Sequence, residues 1–330
     1  MMVAGHAHRI RRVSTKTVVL RPLILLSLFL LSLLVCNACG RGQHAQEPSA
    51  PVVVQPPPQD AVELARGLVD SKILALMSFD GLANHAAGAR LVRKLSANFG
   101  FDGTGLDPVT DISNLFVAAA GLKDTDLFVA VVRYTVPQEQ VTAALNTMIL
   151  RSEPQGEWLS APNTRAARVV VRSRERVFVM ADPDMLVVLP AELAHRAGEF
   201  TGPLALPAPS GQETVQAIIE QPSKTLRVPG APRVPETLST AFVRVILRQD
   251  GCVDGGLEAQ SASPEQAQTD AVVLTREIED VTTVKGSFLR VRLLGPVVFR
   301  ADEDRVKADV ALRAGEISTV MAFIEMGLRR

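Results

Sequence analysis

Apolar residues recur along the chain after residue 60 with two different spacings. Runs of strand length cover 72–79, 113–120, 127–136, 168–172, 176–181 and 185–189. Between them, apolar side chains at near-helical spacing predict amphipathic helices over 85–98 and from Pro137 onward. Strands that follow one another through short turns predict antiparallel pairing, with the helices packed on the sheet.

The same pattern returns after a segment rich in proline. Residues 201–236 contain seven prolines, and one short helix is predicted among them at 212–220. Beyond them we predict strands over 241–247, 255–261, 297–301 and 305–312, and helices over 264–280 and 316–328; segment 288–294 fits either a strand or a helix. The fold class is therefore α+β, with two similar halves at 61–200 and 237–330. Each half is expected to be an antiparallel sheet covered on one face by helices, and residues 201–236 connect them.

The beginning of the chain has a different pattern. Residues 23–35 are apolar except for two serines, and small and polar residues follow at 37–40. Five basic residues and no acidic one precede the apolar run, at Arg9, Arg11, Arg12, Lys16 and Arg21. This order is typical of a secretory signal peptide, predicted here as residues 1–38. The run is shorter than the roughly 20 residues that a transmembrane helix requires.

The end of this leader, Val35-Cys36-Asn37-Ala38-Cys39-Gly40, resembles the cleavage site of bacterial lipoproteins. The resemblance implies that Cys39 receives lipid, with palmitate as an acyl group, and becomes the new N-terminus. Cys36 is the alternative attachment site. A glycine directly after the lipidated cysteine, here Gly40, implies sorting to the outer membrane rather than the inner one.

Residues 39–60 then read as the lipid-attachment cysteine and a proline-rich tether, because their composition cannot bury enough apolar surface to fold. The whole chain has 35 basic and 35 acidic residues, and the leader holds five of the basic residues, so the mature chain has a net charge of −5. A mildly acidic body disfavours nucleic acid as a partner. The expected partners are a membrane, through the lipid anchor, and envelope proteins or lipid.

No stretch carries a catalytic signature, and we assign no catalytic residue, metal or cofactor. The folded part contains only two histidines, His85 and His195, and it lacks the zinc, P-loop and serine-elbow motifs. If the two cysteines near the leader's end are lipidated or removed, Cys252 is left without a disulfide partner. Asp102, Asp107 and Asp111 lie close together around two glycines, where they fit either a calcium loop or the capping of a turn.

Arginines are concentrated in one predicted hairpin. This concentration allows two interpretations: contact with an anionic lipid or polymer, or a solvated strand protected by charge from edge-to-edge pairing. The candidate anion contacts are Arg168, Arg172, Arg174 and Arg176.

The folded part also resembles a family of uncharacterised exported bacterial proteins. The resemblance rests on the strand–helix opening followed by a Gly-x-Asp-Pro-x-x-Asp turn, here residues 105–111. It implies a duplicated strand-helix-hairpin-helix unit and no catalytic residue.

Three functions remain open at this point. The first is a membrane-tethered envelope lipoprotein that binds or scaffolds without catalysis. The second is a periplasmic carrier of an apolar ligand, such as a lipid or acyl chain, in a cavity between sheet and helices. The third is a hydrolase whose site is dispersed along the chain.

Overall fold

The computed structural model describes residues 59–122, 127–161, 164–227, 232–285, 290–292 and 294–319. The predicted signal peptide, both candidate lipid cysteines and nearly all of the tether lie outside these residues. Of the helix predicted at 316–328, residues 316–319 are described, and they belong to a helix that begins at residue 314. In the segment left open between strand and helix, residues 290–292 are a strand.

The first half contains most of the secondary structure. Its helices are α1 (Ala61–Leu68), α2 (Phe79–Ala83), α3 (Ala86–Phe99), α4 (Pro108–Asp111) and α5 (Gln138–Arg151), followed by a 3-10 helix (Ala191–Glu199). Its strands are β1 (Gln59–Asp60), β2 (Ile73–Ser78), β3 (Ile112–Ala119), β4 (Phe128–Tyr134), β5 (Glu157–Ala161), β6 (Thr164–Val171), β7 (Arg174–Asp182) and β8 (Met185–Pro190).

The remainder of the chain also consists of strands and helices. Its strands are β9 (Leu204–Ala205), β10 (Val215–Glu220), β11 (Thr240–Leu247), β12 (Val253–Gln260), β13 (Thr283–Lys285), β14 (Arg290–Arg292), β15 (Arg300–Asp302) and β16 (Arg305–Leu312). Its helices are α6 (Pro222–Thr225) and α7 (Pro264–Thr282), and Ser263 caps α7 by accepting a hydrogen bond from the Gln266 amide at 3.2 Å.

Twelve of the strands form one antiparallel sheet, which confirms the α+β class. Its order is β15-β16-β12-β11-β10-β2-β3-β4-β8-β7-β6-β5. The strands of both predicted halves therefore share a single sheet, and β10, from the predicted connection 201–236, lies between them and pairs with β2.

The helix predicted at 212–220 is wrong, because residues 215–220 form the central strand β10. Val215, Ala217 and Ile219 point into the core, whereas Ile218 on the opposite face is 44% exposed. This alternation has the period of a strand. Pairing with β2 on one side and β11 on the other supplies the hydrogen bonds that override the local helical pattern.

The sheet is covered unequally on its two faces. One face carries two clusters of buried apolar side chains. The first, core A, lies on the first-half strands and is covered by α2, α3 and α5; the second, core C, lies on the later strands and is covered by α7. The other face carries a third cluster, core B, which is covered by α1 and the 3-10 helix. Among the described residues, core B lies on strands of the first half. In β7, Phe178 and Met180 point into core A, whereas Val177 and Val179 point into core B. The first half is thus covered on both faces, although one was expected.

Within the part of the chain that the structure describes, none of the helices combines the length and the apolar character that crossing a bilayer would demand.

Candidate functional site

Two of the four candidate arginines of the hairpin make contacts with other residues of the sheet. Arg168 forms ion pairs with Glu157 at 3.3 Å and with Glu175 at 3.0 Å, on the neighbouring strands. Arg176 is only 8% exposed, and its guanidinium carbon lies 4.5 Å from the centre of the Phe128 ring. Both side chains therefore stabilise the first-half sheet.

The other two candidates stand at the exposed turn between β6 and β7. Arg172 and Ser173 both have positive φ angles, 49° and 63°, which turn the chain sharply, and Arg174 follows at the start of β7. These two exposed guanidinium groups remain the part of the hairpin that can reach an external anion.

Two aspartates of the turn 105–111 accept hydrogen bonds from backbone amides. Asp107 accepts a hydrogen bond from the Val109 amide at 3.0 Å, and Asp111 accepts one from the Asp107 amide at 2.8 Å. Asp107 is the N-cap of α4, whose first residue is Pro108, so these aspartates follow the capping interpretation. Among the residues described, no group of three or more His, Cys, Asp or Glu side chains has the arrangement of a metal site.

The two histidines lie on opposite faces of the sheet. His85 is buried, and its Nδ1 accepts a hydrogen bond from the Gly88 amide at 3.3 Å, which caps α3. His195 is exposed on the 3-10 helix, over core B. The structure therefore does not bring them together as a pair.

Cys252 is half-buried in the turn between β11 and β12. Desolvation and the neighbouring Asp250 raise the pKa of its thiol, so the reactive thiolate is disfavoured at neutral pH. Asp250 also accepts a hydrogen bond from the Cys252 amide at 2.9 Å, which fits a role in the turn.

A polar groove of 560 Å³ runs between α7 and the extended segment 233–237. Its volume lies in the range of small-molecule sites. Both signs of charge occur on its exposed lining, at Arg233, Glu236, Arg276 and Asp280, and Val273 gives it an apolar contact. The lining therefore offers charged groups and apolar surface side by side.

The groove is shaped by one buried carboxylate, Asp270, which is 1% exposed. Asp270 accepts hydrogen bonds from Ser261 Oγ at 2.6 Å, Thr237 Oγ1 at 2.8 Å and Gln266 Nε2 at 2.9 Å. These donors compensate the burial of the carboxylate, which would otherwise be costly. They also fix the wall of the groove at Thr237 to α7 and to the end of β12.

Sequence reasoning missed this site, although a signal existed. Asp270 lies in the apolar stripe of α7, whose other buried members are Ala267, Ala271, Leu274 and Ile278. An acidic residue on the buried stripe of a helix requires partners, and that requirement could have indicated a polar network.

Replacing Asp270 by asparagine should lower the free energy of unfolding by about 1–3 kcal/mol. The amide group exchanges one acceptor oxygen for a donor that faces other donors. Urea unfolding measures the loss. Asp309→Asn, on the exposed face of β16, is the matched control and should change the stability by less than about 0.5 kcal/mol. Equal midpoints for the two variants would contradict the network.

A second, apolar pocket lies in core A beneath the segment 100–107. Its volume is only 20 Å³, and its lining comprises Phe101, Leu106, Pro108, Asp111, Ile112, Val132, Tyr134, Val141 and Leu186. Burial, and then Asp184 and Asp182, raise the pKa of Tyr134 to about 12, so its hydroxyl stays protonated at neutral pH. In this closed form the pocket is too small for a ligand.

The comparisons with known proteins add little to this geometry. No protein-family model and no curated protein sequence matches the chain. A solved structure, described as crystal form I of TP0453, is similar with a TM-score of 0.45 and 12% sequence identity, over 77% of this chain and 94% of that one. That similarity is too low to transfer a function.

Proposed function

We propose that this protein is an exported, lipid-tethered protein of the cell envelope that binds or scaffolds without catalysis. The observation that carries the binding role is the polar groove along α7, whose wall is fixed in place by the buried Asp270 network. Asp270 accepts hydrogen bonds from three side chains, and in this proposal the carboxylate holds the shape of the groove.

The tethering role is supported by the order of segments along the chain. Residues 1–38 are proposed as the signal peptide and Cys39, with Cys36 as the alternative, as the point of lipid attachment. The tether would then end where the described fold begins, at Gln59, and Asp60 caps α1 by accepting the Val62 amide at 2.8 Å. The outer membrane, favoured by Gly40, is the proposed location.

The exposed end of the arginine hairpin is proposed as a secondary contact with an anionic surface. Arg172 and Arg174 stand at the exposed turn between β6 and β7, whereas Arg168 and Arg176 lie within the sheet. This contact would be weak and sensitive to salt, because it would lie at the solvent-exposed surface.

The two halves are proposed to be copies of one unit, and the second copy would then begin at β10, within the segment 201–236 that was expected to be only a connection. The strand order supports this, since it reads β2-β3-β4-β8-β7 in one direction from the centre and β10-β11-β12-β16-β15 in the other. In each series a long helix, α5 or α7, follows the third strand. The antiparallel pair of β2 and β10 would then lie on the two-fold axis that relates the copies.

The second candidate function is a carrier of an apolar ligand. It is favoured by one observation, the apolar pocket in core A, which has the chemical character of a hydrocarbon site although it is small. A dispersed hydrolase site is the third candidate, and the structure supplies no specific observation in its favour among the described residues.

Native mass spectrometry of the protein extracted from membranes separates these candidates. We expect the binding module to retain a polar small molecule or an envelope protein, and Arg276→Ala in the groove to reduce that retention. Retention of lipid that survives this substitution would favour the carrier. Turnover of an ester, amide or glycoside substrate by the purified protein would contradict both.

A further inference from the structure

The segment 100–107 passes over the apolar pocket as a strap between α3 and α4. Three of its residues are glycines with positive φ angles, Gly100 at 81°, Gly103 at 67° and Gly105 at 91°. Such backbone conformations are readily adopted only by glycine. The strap therefore has a glycine at its first position and another near its end, and the backbone at both positions can adopt conformations that other residues rarely adopt.

The outer side of the strap is held by α5, and the last strap residue, Asp107, is also bonded to Asp111 of α4. Arg151, at the end of α5, donates hydrogen bonds to the carbonyl oxygens of Asp102 and Gly103, both at 2.9 Å. Gln140, in the first turn of the same helix, donates to the carbonyl oxygen of Gly105 at 3.3 Å. All three bonds are exposed, so water can replace them when the strap lifts.

The inner side of the strap forms part of the pocket. Phe101 is 4% exposed and meets Phe178 edge to face, with 6.2 Å between the ring centres, and Leu106 is half-buried. Both residues line the pocket. Movement of the strap would therefore remove two of its walls at once and enlarge a space that is closed at present.

We propose that residues 100–107 are a gate, which opens about Gly100 and Gly105 when its bonds to α5 break and admits a neutral apolar group to core A. The inference rests on the second proposed function, the apolar carrier. A fatty-acid anion is disfavoured as the ligand, because the accessible lining of the pocket is apolar and the acidic residue Asp111 adjoins it. The ligand class is therefore an uncharged aliphatic or aromatic group.

Hydrogen exchange of the full chain tests the gate without any ligand. In Arg151→Ala, the amides of 101–106 should exchange about tenfold faster than in the wild type, since two charge-assisted bonds are lost. Gln140→Ala should give a smaller acceleration in the same peptides. Exchange in β7 and β8 should not change in either variant, and the control Arg276→Ala should leave the strap unaffected. Unchanged exchange of the strap in Arg151→Ala would overturn the gate.

The neutral dye diphenylhexatriene tests the pocket in the same proteins. Its fluorescence should rise about tenfold faster with Arg151→Ala than with the wild type or Arg276→Ala, because entry follows the open fraction. If the strap exchanges faster but none of the proteins takes up the dye, the gate does not serve an apolar pocket and the carrier function fails with it. The tethered binding role does not depend on either result.

Discussion

Replacing Phe178 by alanine is expected to lower the free energy of unfolding by about 3–5 kcal/mol. Phe178 is fully buried on β7, in the middle of core A, and packs edge to face against Phe101. Truncation would leave a cavity that the surrounding strands cannot close, because β6 and β8 hold β7 on both sides. Urea unfolding, followed by the fluorescence of the single tryptophan, Trp158, measures the loss.

A matched control separates burial from the mere loss of apolar atoms. Leu150 lies on α5, over the same core, but is 72% exposed. Leu150→Ala should change the stability by less than about 0.5 kcal/mol. A loss below about 1 kcal/mol for Phe178→Ala would mean that core A is not packed as described.

Replacing Cys39 by serine is expected to move the protein from the membrane fraction to the aqueous fraction. A serine cannot take the place of the thiol that receives lipid, and an acyl anchor supplies about 0.8 kcal/mol of membrane affinity for each buried CH₂ group. Sedimentation of membranes, followed by detection of the protein in pellet and supernatant, measures the shift.

The second cysteine of the leader provides the control. Cys36→Ser keeps Cys39 and should leave the protein in the membrane pellet. The reverse pattern would assign the lipid to Cys36, the alternative site. Sedimentation of both single variants and of the double variant would contradict a lipid anchor at either residue.

Most individual elements of the body could be predicted from the sequence, because their hydrophobic periods are strong. Strand β2, helix α5 and helix α7 each coincide with a segment whose apolar residues recur at one clear spacing. The two helices also have recognisable beginnings, at Pro137 and Ser263. Such local signals are set by the chain itself.

The central strand could not be predicted in this way. Residues 215–220 lie in a segment rich in proline and turn residues. They form a strand because they pair with β2 and β11, which lie elsewhere in the sequence. The polar groove was missed for a related reason. Its walls, at Thr237 and Asp270, are 33 residues apart and meet only when α7 packs on the sheet.

The arginine hairpin shows a different limit of prediction from sequence. Its charge was evident in the sequence, but the partners of each residue were not. Whether an arginine is engaged by Glu157 and Glu175, as Arg168 is, or stands at a turn, as Arg172 does, depends on strand register. A one-residue change of register would move each of these side chains to the opposite face of the sheet.

The most direct test of the whole account is the intact mass of the protein extracted from bacterial membranes. We predict a chain that begins at Cys39 and carries the added mass of a lipid anchor. A mature chain that begins elsewhere without lipid, or the full-length chain with its leader intact, would contradict the tethered envelope protein proposed here.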